Sequence, residues 1–135
     1  GESGAGFAVK AVNNTLMAVN LWAIAEGLSI LKANQIDLKA ALNCINHSSG
    51  RSGMSESIVS QRILNREFHK TFALDLLQKD IGIAMDLKKQ VKLELELLQK
   101  TQQKFNKIEK VQAKNLDFSA AIQSLEQDTG YELKM

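Results

Sequence analysis

The sequence predicts an all-α fold, a multi-helix bundle built around one long and buried N-terminal helix. No proline occurs in the 135 residues, so the strongest helix breaker is missing. A sustained period-two alternation of β-branched residues, which would indicate strands, is also not found. Because 44% of the residues are hydrophobic and 24% are charged, as in ordinary globular proteins, we expect residues 1–135 to form a single domain.

The first predicted helix covers residues 5–33 and is apolar around almost its whole circumference. A helix without a polar face is normally buried in the middle of a domain or at an interface. Asn34 follows it and is predicted to end the helix, because asparagine tolerates the left-handed conformation.

Five shorter helical segments follow the first helix. Asp37 is predicted to cap a second helix that ends near Asn46, and the composition of residues 48–53 is typical of a loop. Apolar spacing predicts further helices over residues 54–64 and 71–87, and one helix or two over the charged stretch 88–115. A short last helix is predicted to be capped by Asp117 or Ser119 and to end before Gly130.

Charge and hydropathy argue against two classes of partner. Seventeen basic and fifteen acidic residues leave a net charge of +2, which does not favour a nucleic-acid binder. The weakly polar stretch 15–31 contains Asn20 and Glu26, so it is too short and too polar to indicate a membrane span. We therefore expect neither nucleic acid nor a membrane among the partners.

The cysteine and histidine residues bear on compartment and metal binding. Cys44 is the single cysteine and lies in an apolar run, so we expect a small core residue in a reducing compartment. This favours a cytoplasmic protein, and a mitochondrial location stays open because no targeting segment can be assessed from this N-terminus. His47 and His69 have no carboxylate or thiol neighbours at ligand spacing, so no metal site is predicted.

Three polar residues, Lys10, Asn13 and Asn14, interrupt the first helix near its start. Lys10 and Asn14 are one helical turn apart on the same face. Leaving such groups buried and unpaired would cost about 1–3 kcal/mol each, so solvent, other protein groups or a polar ligand must satisfy them.

Hydroxy-acid oxidation is one chemistry that this arrangement suits. Burial disfavours the ammonium form of a lysine and prepares it to accept a hydroxyl proton, while a neighbouring carboxamide holds the substrate. The alternative is a surface lysine beside a capping asparagine, and the residues by themselves favour that alternative.

The glycines at positions 1, 4 and 6 do not form a dinucleotide-binding loop. Their order is G-x-x-G-x-G, the reverse of the fingerprint G-x-G-x-x-G, and no predicted strand precedes them.

Five sequence blocks nevertheless occur in a recognisable order: G-x-x-G-x-G-x-x-x-K-x-x-N-N over residues 1–14, A-E-G-L at 25–28, I-N-H-S-S-G-R-S at 45–52, F-A-L-D-L-L-Q-K-D-I-G-I-A at 72–84 and D-F-S-A at 117–120. Together they resemble the C-terminal domain of the β-hydroxyacid dehydrogenases. That family includes 3-hydroxyisobutyrate dehydrogenase, tartronate semialdehyde reductase and, more distantly, 6-phosphogluconate dehydrogenase, whose C-terminal domain is also helical.

The resemblance implies a role for each matching polar residue. Lys10 would be the catalytic general acid and base, Asn14 would bind the substrate and Asn13 would support the site. Lys79 would contact the cofactor, NAD or NADP, as the domains close. Without the resemblance, Lys79 is a surface lysine paired with Asp75 or Asp80.

The resemblance also implies partners: a small 3-hydroxy acid or its semialdehyde, an N-terminal nucleotide-binding domain, and a second copy in a homodimer or higher homo-oligomer. The 135 residues contain no counterpart of that nucleotide-binding domain, so we expect the chain to be inactive by itself. Residues 88–106 lack the prolines usual in the family, which indicates a difference in substrate type or domain packing. The alternative function is a non-catalytic helical domain that only dimerises or docks.

Overall fold

The computed structural model describes residues 3–135 and confirms an all-α bundle; Gly1 of the glycine-rich opening and its neighbour Glu2 lie outside the described residues. The elements are α1 (Ser3–Ala33), α2 (Leu38–Asn46), a π-helix (Met54–Ile63), α3 (Leu74–Gln90), α4 (Glu96–Phe105), α5 (Lys110–Ala113), a 3-10 helix (Phe118–Ala121) and α6 (Ile122–Thr129).

Helix α1 is buried along one face and exposed along the opposite one. Its inner face carries fully buried small and apolar residues, among them Ala18, Leu21, Ala25 and Leu28. The outer face leaves several apolar side chains open to solvent: Val9, Val12, Leu16 and Ile30. The predicted burial of this helix therefore holds for one side only, because a domain of this size covers a single face of a rod 31 residues long.

By length and composition, α1 is also a helix that could cross a bilayer. Its most apolar window of 18 residues has a mean hydropathy of 1.4, and 33% of that window is buried in the bundle. The core helix of a globular domain has the same composition, so this is weak evidence for a membrane span.

Helix α3 packs antiparallel to α1. Asp80 of α3 contacts Asn14 near the start of α1. The other end of α3 adjoins the 3-10 helix, since the Leu74 amide donates to the Leu116 carbonyl at 2.9 Å, and the following α6 packs near Ser29 on α1. The C-terminal end of α3, and the turn that leads into α4, consequently lie at the N-terminal end of α1.

The helix ends agree with the predicted caps at two places and differ at a third. The Asp37 carboxylate accepts from the Ala40 amide at 2.7 Å, and Gly130 adopts φ 77° after α6. After α1, however, Gln35 rather than Asn34 has the left-handed conformation, at φ 61°. The Asn34 amide instead donates to the Ile30 carbonyl at 2.8 Å and closes the last turn with its side chain.

Segments 54–64 and 71–87 form helices whose type or bounds differ from the prediction. The first is a π-helix, in which the Leu64 amide donates to the Val59 carbonyl five residues earlier; nothing in its sequence explains the wider turn. The second starts only at Leu74, because the backbone amides of Thr71 and Phe72 donate to the Asp117 carboxylate.

The charged segment 88–115 contains a turn between α3 and α4, where Lys92 has φ 58°. It therefore forms the end of α3, α4 and α5 rather than one continuous helix.

Cys44 is exposed and is not the core residue that its apolar neighbourhood predicts. Helix α2 buries Leu38 and Leu42, and Cys44 is two positions, about 200°, past Leu42 around the helix.

A buried carboxylate, Asp117, ties the π-helix, the start of α3 and the 3-10 helix together. It accepts from Arg62 Nη1 at 3.0 Å, from the amides of Thr71 and Phe72, and from the amide and hydroxyl of Ser119. Burial acts to raise the pKa of Asp117, but the hydrogen bonds from Ser119, Thr71 and Phe72 outweigh it and hold the pKa below its ordinary value.

The lowered pKa gives the first prediction. A carboxylate whose pKa is depressed in the folded state adds stability above its unfolded pKa of about 3.9, and that stability is lost as the pH falls through the folded value. Asp117→Asn breaks a buried ion pair and should lower the free energy of unfolding at pH 7 by about 3–5 kcal/mol. It should also flatten the acid limb of the stability profile.

Urea unfolding between pH 7 and about pH 2 measures both effects. Exposed Asp86 provides the control, since Asp86→Asn should change the unfolding free energy by less than about 0.5 kcal/mol. An unchanged acid limb in Asp117→Asn would show that another group controls acid unfolding.

Candidate active site

The three predicted polar residues of α1 lie together beside a carboxylate of α3. Asn14 Nδ2 donates to Asp80 Oδ2 at 2.7 Å, and Lys10 Nζ lies 3.7 Å from the same oxygen. Asn13 Nδ2 makes a longer contact of 3.4 Å to Asn14 Oδ1. Asp80 therefore brings Lys10 and Asn14 together, and Asn13 supports the group from the next position.

The exposed fraction of the side chain differs greatly between Asp80 and Lys10. The Asp80 side chain is 9% exposed, whereas that of Lys10 is 65% exposed. A buried carboxylate is costly unless it is paired and hydrogen-bonded, and the Asn14 amide together with the Lys10 ammonium meets that requirement. The predicted burial of Lys10 is not supplied by the described residues, because Lys10 lies near the first turns of α1, where the bundle ends.

Asp80 is the functional candidate that sequence reasoning missed, since it considered Asp80 only as an ion-pair partner of Lys79. A signal was present in the spacing. Asp80 is three residues after Leu77 and four before Ala84, which places it on the buried face of α3. An acidic residue on such a face requires a cationic or amide partner on the packed helix.

Lys79 lies on another face of α3 and contacts none of this group. It lines an open groove of about 510 Å³ between α3 and α4, together with Asp75, Gln102 and Asn106. Within residues 3–135 Lys79 makes no ion pair, with Asp75, Asp80 or any other carboxylate. Its charge is therefore available to a polar or anionic group that enters the groove.

The remaining candidate residues are engaged locally. Residues 48–53 join α2 to the π-helix, and Arg51 lies 3.6 Å from Glu56. His47 Nδ1 lies 2.8 Å from the Asn43 carbonyl oxygen within its own turn. The described part of the chain contains no group of three His, Cys, Asp or Glu side chains that could hold a metal ion.

Comparison with known proteins defines the class. A family described as the NAD-binding domain of NADP-dependent 3-hydroxyisobutyrate dehydrogenase matches residues 4–125. The 2-(hydroxymethyl)glutarate dehydrogenase of Eubacterium barkeri is 34% identical over 96% of this chain and 43% of its own length. The 2-hydroxy-3-oxopropionate reductase of Escherichia coli is 27% identical over 98% of this chain and 45% of its own length.

Solved structures show the same architecture. The 3-hydroxyisobutyrate dehydrogenase of Mycobacterium tuberculosis, solved with L-serine, superimposes with a TM-score of 0.78 at 25% identity, over 90% of this chain and 44% of that enzyme. The Salmonella typhimurium 3-hydroxyisobutyrate dehydrogenase gives a TM-score of 0.76 at 25% identity, over 86% of this chain and 40% of that enzyme.

The proteins that the helical bundle is similar to are thus NAD(P)-dependent hydroxyacid dehydrogenases. Within that class, the chain belongs to the family of the NAD-binding domain of NADP-dependent 3-hydroxyisobutyrate dehydrogenase, as the sequence blocks predicted. It spans less than half the length of the curated relatives that it matches.

The geometry of the site predicts that a negative charge at position 14 destabilises the fold, whereas a negative charge at position 13 does not. Asn14→Asp would replace the hydrogen bond to Asp80 with two carboxylates in contact, so the free energy of unfolding at pH 7 should fall by about 1–3 kcal/mol. Asn13→Asp, the matched control on an exposed neighbour, should change it by less than about 0.5 kcal/mol. Equal effects of the two substitutions in thermal or urea unfolding would contradict the Asn14–Asp80 contact.

Proposed function

We propose that this chain is the C-terminal helical domain of an NAD(P)-dependent 3-hydroxy acid dehydrogenase, with Lys10 as its general acid and base. The observation that carries the proposal is the shared carboxylate of Asp80, which holds Lys10 and Asn14 one turn apart at the edge of the bundle. A buried acid that orients a solvent-open lysine and amide is an arrangement for handling a proton and a polar substrate.

Within this proposal, the residues of the chain divide the proton chemistry between them. Lys10 Nζ accepts the substrate hydroxyl proton during oxidation and returns it to the carbonyl oxygen during reduction. Because one Asn14 N–H is held by Asp80, the amide is fixed in orientation, and its second N–H and its oxygen serve the substrate hydroxyl or carboxylate. In the protonated form of Lys10, which donates the proton during reduction, the Lys10 and Asp80 charges cancel, so the site then does not repel a carboxylate substrate.

The cofactor would be NAD or NADP, which supplies or accepts the hydride when bound. We assign the contact with the cofactor to Lys79, because it lies in the K-D block that resembles the family and lines an open groove, which Lys110 also lines. The dinucleotide itself would be held mainly by a nucleotide-binding domain of the same polypeptide, because relatives of the chain are more than twice as long. The isolated chain is accordingly proposed to be inactive.

The substrate would be a small hydroxy acid or the matching semialdehyde. The relatives that act on 2-(hydroxymethyl)glutarate and on 2-hydroxy-3-oxopropionate support this class. The second candidate function is a purely structural domain that dimerises or docks, and the exposed apolar face of α1 favours it. Such a domain has no use for a lysine held against a buried carboxylate, which is why we place it second.

Substitution of the lysine separates the two functions. In the polypeptide that carries this domain behind its nucleotide-binding domain, Lys10→Ala should lower kcat by about 10²- to 10⁴-fold, the usual contribution of a general acid or base. Because Lys10 is 65% exposed, the free energy of unfolding should change by less than about 1 kcal/mol.

Steady-state kinetics with a panel of short hydroxy acids, alongside thermal unfolding, measures both quantities. Lys39→Ala, on the exposed side of α2, is the control and should leave kcat unchanged. Full activity with a loss of stability in Lys10→Ala would refute the catalytic role.

We also propose that the outer face of α1 forms the interface with a second copy. The exposed residues Leu16, Ala23 and Ile30 recur every seven positions, and half-buried Gly27 lies on the same side of the helix, so the face is mainly apolar with small residues in its middle. Self-complementary apolar patches of this kind are typical of two-fold symmetric dimers.

Leu16→Glu tests this interface. A glutamate on each copy that is buried against the apolar face of the other should convert a dimer into a monomer, while the helical circular dichroism stays unchanged. Val111→Glu, at a position that is 79% exposed on α5, is the control and should leave the assembly intact. Sedimentation velocity reports the outcome, and a Leu16→Glu protein that still sediments as the wild type does would place the interface elsewhere.

A further inference from the structure

A second lysine, Lys88, lies on the inward face of α3 beyond the Asp80 site. It is about 80° around the helix from Asp80, in the middle of the arc that carries the buried residues Leu77, Ile81 and Ala84. Lys88 itself is half-buried. A cation on the inward face of a helix requires an anionic or polar partner.

The described residues supply no negatively charged partner for Lys88. It makes no ion pair within residues 3–135. The residues three and four positions before and after it carry no negative charge: Ala84, Met85, Val91 and Lys92. The facing helix offers no acid either, because Lys10 is the single charged residue between positions 3 and 25 of α1. The Lys88 charge is therefore left for a group that comes from outside the bundle.

The next residue, Lys89, shows what a lysine at this end of α3 ordinarily does. Both lysines lie in the last turn of the helix, where the helix dipole favours a positive charge. Lys89 is exposed, and Asp86 lies three positions before it on the same side of the helix. The dipole thus explains a lysine in this turn, but it does not explain a lysine on the inward face.

Lys88 also lies close to Lys10 along the bundle. Asp80 contacts Asn14 and the two helices are antiparallel, so both lysines are displaced from that contact toward the start of α1. Lys10 is four residues, about 6 Å, from Asn14, and Lys88 is eight residues, about 12 Å, from Asp80. The two lysines therefore differ by about 6 Å in position along the helix axes.

From this placement we propose that Lys88 binds a second carboxylate of the substrate, so that the preferred substrate is a 3-hydroxy acid with two carboxylates. This inference rests on the proposed function. Lys10 and Asn14 act at the reacting hydroxyl and its adjacent carboxylate, and the distal carboxylate of the same molecule extends toward Lys88. A two-carbon arm on the substrate and the four-carbon stem of a lysine span an interval of about 6 Å.

The charges around the site fit a substrate with two negative groups. When Lys10 is protonated, its charge and that of Asp80 cancel. Lys88 then adds one uncompensated positive charge, which attracts a further carboxylate. Because Lys88 is half-buried, salt and water screen this attraction less than they would at a fully exposed lysine.

Kinetics with two acids of equal length test this contact in the polypeptide that carries the domain behind its nucleotide-binding domain. The acids are 2-(hydroxymethyl)glutarate and 2-(hydroxymethyl)pentanoate, in which a methyl group replaces the distal carboxylate. Lys88→Met removes the charge and keeps the apolar stem. It should lower kcat/KM for the diacid about 10- to 100-fold, mainly through KM, and change that for the monoacid by less than about threefold.

Two further variants control for the helix end and for the charge. Lys89→Met removes a charge from the same turn and should leave the preference for the diacid unchanged. Lys88→Arg keeps the positive charge and should retain most of that preference. Equal losses for the two acids in Lys88→Met, or equal effects of Lys88→Met and Lys89→Met, would overturn the inference.

Equilibrium binding separates this inference from the proposed function. In isothermal titration calorimetry, glutarate should bind the same polypeptide at least about tenfold more tightly than butyrate, and Lys88→Met should abolish the difference. That result in a protein without dehydrogenase activity would refute the function and retain the contact with Lys88. Dehydrogenase activity that uses the diacid and the monoacid equally well would retain the function and refute the contact.

Discussion

The buried carboxylate of Asp80 is the interaction on which both the packing and the candidate chemistry depend. It lies between the two longest helices, α1 and α3, where an unpaired negative charge would be strongly destabilising. Its partners, Asn14 and Lys10, are also the residues for which we propose a role in substrate binding and proton transfer. The register of α1 against α3 and the spacing of the site are therefore set by the same contact.

The features of the fold that could be predicted from the sequence are those that depend on residues close together in the chain. The cap at Asp37, the stop at Gly130 and the length of α1 depend on residues within one or two turns, and the sequence predicted all three. The helix boundary predicted between Leu87 and Lys88 lies instead after Gln90, because neither glycine nor proline marks the turn and a lysine, Lys92, adopts the positive φ. Long-range packing of α4 back onto α3 selects that turn, and periodicity does not record it.

The same distinction applies to the site. Lys10 and Asn14 could be found because two polar residues on an apolar helix stand out within a single helix. Asp80 was missed because its partner is 66 positions away in the chain and its neighbour Lys79 offered a simpler pairing. Cys44 was predicted to be buried because its neighbours in the sequence are apolar. It is exposed, because it lies on the solvent-facing side of α2.

The bundle alone does not account for the apolar circumference of α1. Its inner face packs on α3, and its outer stripe and its first turns are left uncovered in this domain. Exposed apolar surface of that extent is typical of interaction sites. The interface that we propose with a second copy would account for the outer stripe.

The exposure of Lys10 leads to a division of labour between domains. Proton transfer and charge stabilisation are most effective where water is excluded, and the described residues leave the lysine largely in solvent. The bundle contributes rigidity, because Lys10 and Asn14 are held on a helix of 31 residues and fixed by a buried acid. Under the proposed function, exclusion of water from Lys10 must come from the nucleotide-binding domain of the same polypeptide. Domain closure, and not the helical bundle by itself, would then complete the site. The isolated chain would be inactive for two reasons: it lacks the domain that holds the cofactor, and its Lys10 stays in contact with water.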